Sequence, residues 1–124
     1  MYRLPYARPV EITRKEILSA ERRAVPTSPA GGLRVGVGYP NTYHVAMSSL
    51  AFQWVAELAA TCDDIGVERF FAESPGQGRT LETASPLGDF DLLAWSCSFE
   101  LDAVNLLTTL DAAGIVLPNP AHPP

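Results

Sequence analysis

Hydrophobic and polar positions change period several times along the chain. Leu33-Arg34-Val35-Gly36-Val37-Gly38-Tyr39 is a short β-type run ended by Pro40, which predicts a strand. A helical period begins at once. Tyr43, Met47, Leu50, Ala51, Trp54, Val55, Leu58 and Ala59 fall on one stripe, which predicts a single amphipathic helix with that stripe facing the core. Val67 to Ala72 reads as a second strand, and Ser74-Pro75-Gly76-Gln77-Gly78-Arg79 as a loop. Leu92 to Cys97 is almost continuously apolar, the pattern of a buried strand in a parallel sheet. Ala103, Leu106, Leu107, Leu110 and Ala113 form another helical stripe, Gly114 is a natural stop, and Ile115-Val116-Leu117 begins a short fourth strand. Upstream, Thr13 and Glu16 have capping-box spacing, which predicts a short helix over about residues 13–24, broken by Pro26, Pro29, Gly31 and Gly32.

The resulting order of β, α, β, loop, β, α, β is that of a doubly wound α/β fold, flavodoxin-like or Rossmann-like, a three-layer sandwich around a short, mostly parallel sheet. Such sheets bind ligands beyond the carboxyl ends of their strands. Two loops therefore draw attention, Gly38 to Met47 and Ser96 to Asp102. With 124 residues, one domain is expected. Its parts are a basic arm over 1–32 carrying the short helix, an α/β body over 33–117, and a proline-rich tail over 118–124 that reads as a linker or truncation point. The body is then expected to be incomplete, with its last strand at a sheet edge that favours a homo-oligomer.

Charge sharpens this division. The net charge of −5 is the sum of +3 over residues 1–30 and −8 over the remainder. An acidic body repels phosphates, so the basic arm is read as solvated or docked on the body, and nucleic acid is not an expected partner. No apolar run reaches the ~18 residues of a membrane span. Cys62 and Cys97 form neither a disulfide framework nor a metal motif, and a cytoplasmic setting is expected. Cys97, at the strand end, is expected to be buried and inert.

Chemistry concentrates in the two loops. Tyr39, Asn41, Thr42, His44 and Ser48 bring hydroxyls, an amide and an imidazole to a helix start, where free N–H groups suit an anion or a polar ligand. Alternatively, Asn41 or Thr42 simply caps the helix while Tyr43 and Met47 pack beneath it. Ser96, Ser98 and Glu100 would face this loop across the crevice. Equally, Ser98 caps the second helix while Glu100 and Asp102 complement its dipole. Gly36-Val37-Gly38 is not a dinucleotide fingerprint, because the third glycine would fall at Asn41. No phosphate loop, nucleophile elbow or second metal ligand for His44 is present.

The stretches Val35 to Leu50, Glu68-Arg69-Phe70-Phe71, Pro86 to Asp102 and Ala113-Gly114-Ile115 resemble the N-terminal, cobalamin-binding-like domain of a radical S-adenosylmethionine protein family. The resemblance covers most of residues 33–117. It implies a flavodoxin-like fold, cobalamin as a cofactor, and a downstream radical domain holding S-adenosylmethionine and a [4Fe–4S] cluster on a C-x-x-x-C-x-x-C motif. That motif is missing here, so this chain alone is expected to be catalytically silent. The cobalamin signature D-x-H-x-x-G is also absent, since aligning its histidine with His44 puts Thr42 at the aspartate and Met47 at the glycine. Three readings remain open. One is an accessory domain contributing cofactor or substrate binding to a radical enzyme. The others are a non-catalytic interaction module and a small autonomous enzyme or nucleotide binder.

Overall fold

A computed structural model describes residues 13–22, 32–72, 78–116 and 121. Its elements are α1 (Arg14–Ala20), β1 (Leu33–Tyr39), α2 (Tyr43–Met47), α3 (Leu50–Ala60), β2 (Ile65–Phe71), a 3₁₀ turn (Leu87–Asp89), β3 (Leu92–Trp95) and α4 (Asp102–Ala112). The strands form a parallel sheet of order β2-β1-β3, with Val35 opposite Val67 on one side and Leu92 on the other. The alternating α/β order therefore holds as far as α4. Ile115 and Val116 do not extend it into a fourth strand, and Leu117 lies outside the described residues, as do the breakers Pro26, Pro29 and Gly31.

The two faces of the sheet are built differently. Val35, Val37, Tyr39, Val67 and Phe71 join Ala46, Phe52 and Ala56 of the overlying helices in one buried cluster. Tyr39 meets Phe52 edge to face at 5.8 Å, and Phe52 meets Phe71 at 5.6 Å. On the opposite face Phe70 lies across β1 and stacks edge-on against Trp95 at 4.6 Å. A Cβ at Gly38 would stand 2.3 Å from that ring, and one at Gly36 only 2.8 Å from Leu93. The two glycines thus make room for neighbouring side chains, where the usual cause of a strand glycine is an approaching backbone.

Three sequence expectations need correction. The single long helix is two, because Ser49 accepts the Phe52 N–H at 3.3 Å and starts a new helix after the turn at Ser48. This interruption shifts the helical phase from Leu50 onward. Phe52 and Ala56 point inward, while Leu50, Trp54, Val55 and Leu58 of the expected core stripe are exposed. In α4, Asp102, Thr109 and Leu110 are buried, whereas Ala103 and Leu107 are not. Finally, β3 is an edge strand, half-buried and ending at Trp95, so Cys97 is an exposed thiol.

The arm helix is shorter than expected, but its capping box is present. Thr13 accepts the Glu16 N–H, and Glu16 accepts the Thr13 N–H at 2.7 Å. Ile17 enters the core, and Arg14 donates to the carbonyls of Leu81 and Glu82 at 3.0 and 2.8 Å. This is the docked alternative for that part of the arm.

Candidate functional site

Adjacent parallel strands whose following helices run to different places leave a crevice between their carboxyl ends. Here β1 and β3 are neighbours in the sheet, and the chain leaves them toward α2 and α4. Beyond β1 the chain bends at Pro40 and Asn41, and Thr42 caps α2 by accepting the Val45 N–H at 3.3 Å. Asn41 ties the strand exits together. Its Oδ1 accepts the Thr42 N–H at 2.8 Å, its carbonyl accepts the Ala72 N–H at 3.2 Å, and its Nδ2 donates to Asp102 Oδ1 at 3.0 Å. From the next turn of α4, Asn105 donates to the Pro40 carbonyl at 3.0 Å. Asp102 is 5% exposed, and its Oδ2 is buried without any hydrogen-bond partner.

The sequence-derived candidates divide between core and crevice. Tyr39 is buried against Phe52 and belongs to the packed face. Asn41 joins the polar bridge, and Thr42 is the cap of α2. His44 is exposed in α2, its ring edge-on to Tyr43 at 6.0 Å, and Ser48 donates to the His44 carbonyl at 3.0 Å. Ser96 holds β3 to β1 through its backbone, its N–H donating to the Gly38 carbonyl at 2.9 Å. Ser98 and Glu100 are exposed before α4. Ser98 does not cap that helix; the N-cap is Leu101, with no side-chain bond.

Asp102 and Asn105 of α4 therefore stand directly against the exit of β1, bonded to Asn41 and to the Pro40 carbonyl. By sequence alone Asp102 reads only as a complement to the helix dipole, and Asn105 does not stand out. The available signal was their spacing of three, which places them on one face of a helix.

A second polar assembly, equally unforeseen from the sequence, joins the arm to the body. Arg69 makes a two-pronged pair with Glu21 at 2.8 and 2.7 Å, and its Nε donates to Glu82 at 2.7 Å. Tyr43 donates to the same Glu21 at 2.7 Å. Burial pulls the Arg69 pKa down, but the hydrogen bonds and charges of Glu21 and Glu82 outweigh it, so the net shift is upward. On the other sheet face Glu68 accepts from Thr80 at 2.7 Å, from Thr83, and from Arg34 at 3.4 Å. Both carboxylate systems are satisfied, which marks them as structural. Their signal was a charged pair, Glu68-Arg69, inside an otherwise apolar strand.

Among the described residues no group of three or more His, Cys, Asp or Glu side chains is placed to hold a metal ion, and no helix is long and apolar enough to cross a membrane. In comparison with protein families, the description "Radical SAM proteins, N-terminal" matches residues 51–120, more than half of the chain. That span contains Ser96, Ser98, Glu100, Asp102 and Asn105 but stops short of Asn41. Comparison with curated proteins and with solved structures yields no match.

Proposed function

The chain belongs to the N-terminal family of radical SAM proteins, and on that premise we propose that residues 33–117 are an accessory binding domain that holds an organic cofactor or substrate at the β1/β3 crevice. The family brings S-adenosylmethionine and a [4Fe–4S] cluster to the parent protein. Such a cluster needs cysteine thiolates, and Cys62 and Cys97 are too few for the three-cysteine motif. Radical chemistry is thus assigned to another region of the parent protein.

Asp102 carries this reading. A carboxylate oxygen buried without a donor is a standing cost, and a ligand that supplies the donor removes it. Cobalamin is the proposed occupant, since the carboxamides on its rim offer hydrogen-bond donors and acceptors of the kind that Asn41, Asp102 and the hydroxyls of Thr42, Ser48, Ser96 and Ser98 would require. The strand order also supports a flavodoxin-like three-layer sandwich, because β2-β1-β3 is how such a sheet begins. Cobalt ligation by His44 is not part of the proposal. A metal-binding histidine is oriented by a bond to its other nitrogen, and among the described residues the His44 ring has only its contact with Tyr43.

Titration of the purified chain with cobalamin tests the proposal. The expected result is a saturable change in the corrin absorption spectrum; an unchanged spectrum at high concentration overturns the corrinoid assignment. The alternative is an interaction module docking through the exposed Leu50, Trp54 and Leu58 of α3, and in that case cobalamin leaves the protein unaffected.

A further inference from the structure

The unpartnered oxygen of Asp102 specifies what kind of group the crevice accepts. Asp102 opens an eleven-residue helix, whose dipole favours negative charge at this end. The dipole accounts for a buried carboxylate at this position but does not supply its second oxygen with a donor. The nearest backbone N–H groups are already used: Asp102 N–H donates to the Phe99 carbonyl and Ala103 N–H to the Glu100 carbonyl, both at 3.1 Å. One N–H of each asparagine amide is used as well, Asn41 to Oδ1 and Asn105 to Pro40, and neither amide reaches Oδ2.

We propose that the missing donor belongs to the ligand, so that Asp102 Oδ2 accepts an N–H or O–H from a carboxamide, hydroxyl or ammonium group and disfavours a phosphate or carboxylate at that one position of the ligand. The inference rests on the crevice being a ligand site. It reverses what a helix start suggests, because the negative charge that the α4 dipole would attract is already supplied by the protein. Oδ2 is closed to solvent in the free chain, so the proposal requires the Asn41–Asp102 bridge to open when the donor enters.

The test is Asp102→Asn in the full chain. This substitution keeps an oxygen for Asn41 and replaces the unpartnered oxygen with an NH₂ group. The probes are cyanocobalamin and dicyanocobyrinic acid, which carries carboxylates where cobalamin carries amides. The unaltered chain is expected to bind cyanocobalamin at least tenfold more tightly than the carboxylate form. Asp102→Asn is expected to weaken cyanocobalamin binding about tenfold to a hundredfold, as loss of a hydrogen bond to a charged group does, and to narrow the gap between probes.

Equal affinity of the two proteins for cyanocobalamin, or of the unaltered chain for both probes, overturns the inference while leaving the binding function standing. Should neither corrinoid bind, the cobalamin assignment falls. The two proteins are then compared by calorimetry with S-adenosylmethionine, which carries ammonium and hydroxyl donors. Equal affinity there, or none, overturns the inference. Melting temperatures accompany each titration. If Asp102→Asn fails to fold, the preference of the unaltered chain between the two corrinoids decides.

Discussion

Replacing Gly38 with alanine would put a methyl carbon 2.3 Å from Cζ and 2.4 Å from Cε2 of Phe70, whereas ordinary contact begins at 3.4 Å. The ring would have to retreat by about 1 Å, but it is 1% exposed and braced by Trp95 at 4.6 Å. Overpacking of a closed core costs about 1–3 kcal/mol, and a rigid aromatic ring with no free side puts Gly38→Ala near the upper figure. At about 4 °C per kcal/mol for a domain of this size, the melting temperature should fall by roughly 10 °C. Thermal unfolding followed by circular dichroism measures it. Two further variants isolate the cause. Gly88→Ala, where a Cβ meets nothing within 4 Å, should stay within about 0.5 kcal/mol. Gly38→Ala in a Phe70→Leu background should lose most of its penalty, giving a coupling energy of about 1.5 kcal/mol or more. A melting point within about 2 °C of the parent for Gly38→Ala, or the same penalty in both backgrounds, would refute the assignment of Gly38 to ring clearance.

Other expectations concern the charges and thiols. Arg69→Leu leaves Glu21 and Glu82 buried without their cation, and should cost about 3–5 kcal/mol in urea unfolding; a loss below about 1 kcal/mol would count against the ion cluster as the clasp between α1 and β2. Hydrogen bonds from the Thr13 backbone and then its side chain hold the Glu16 carboxyl below its ordinary value. The support this gives α1 should therefore be present above the unfolded value and be lost as pH falls through the lowered folded one. Carboxyl NMR titration of Glu16 checks this, and an unshifted midpoint would contradict it. Both cysteines are exposed, so a thiol reagent should label two equivalents without denaturant. A single equivalent would put Cys97 back in the interior.

How far each element could be read depended on how local its cause was. The Thr13–Glu16 capping box and the Thr42 cap involve neighbours three residues apart, and both were legible. The orientation of α3 was not. Leu50-Ala51-Phe52-Gln53-Trp54-Val55-Ala56 is apolar on nearly every side, so periodicity offers several buried faces. Phe52 faces inward because its ring packs against Tyr39 and Phe71. Leu92 to Cys97 reads as a buried strand because apolar content reports average burial and is silent on position within a sheet. Asn41 could be named as a candidate because it sits at a strand exit, but its partner lies 61 residues away, and no local spacing encodes that distance.

The sequence by itself determined the alternation of strands and helices, the division between basic arm and acidic body, and a resemblance to the N-terminal region of radical SAM proteins that agrees with the matched description. Each arises from residue type, short-range spacing or motif order. Tertiary structure decided which helix faces are buried, that β3 lies at an edge of the sheet, and why Gly36 and Gly38 carry no side chain. It also joined Arg69 to Glu21 and left one oxygen of Asp102 without a donor. These outcomes depend on groups far apart in the chain competing for the same space and the same hydrogen bonds, and that competition is resolved only when the sheet brings them together.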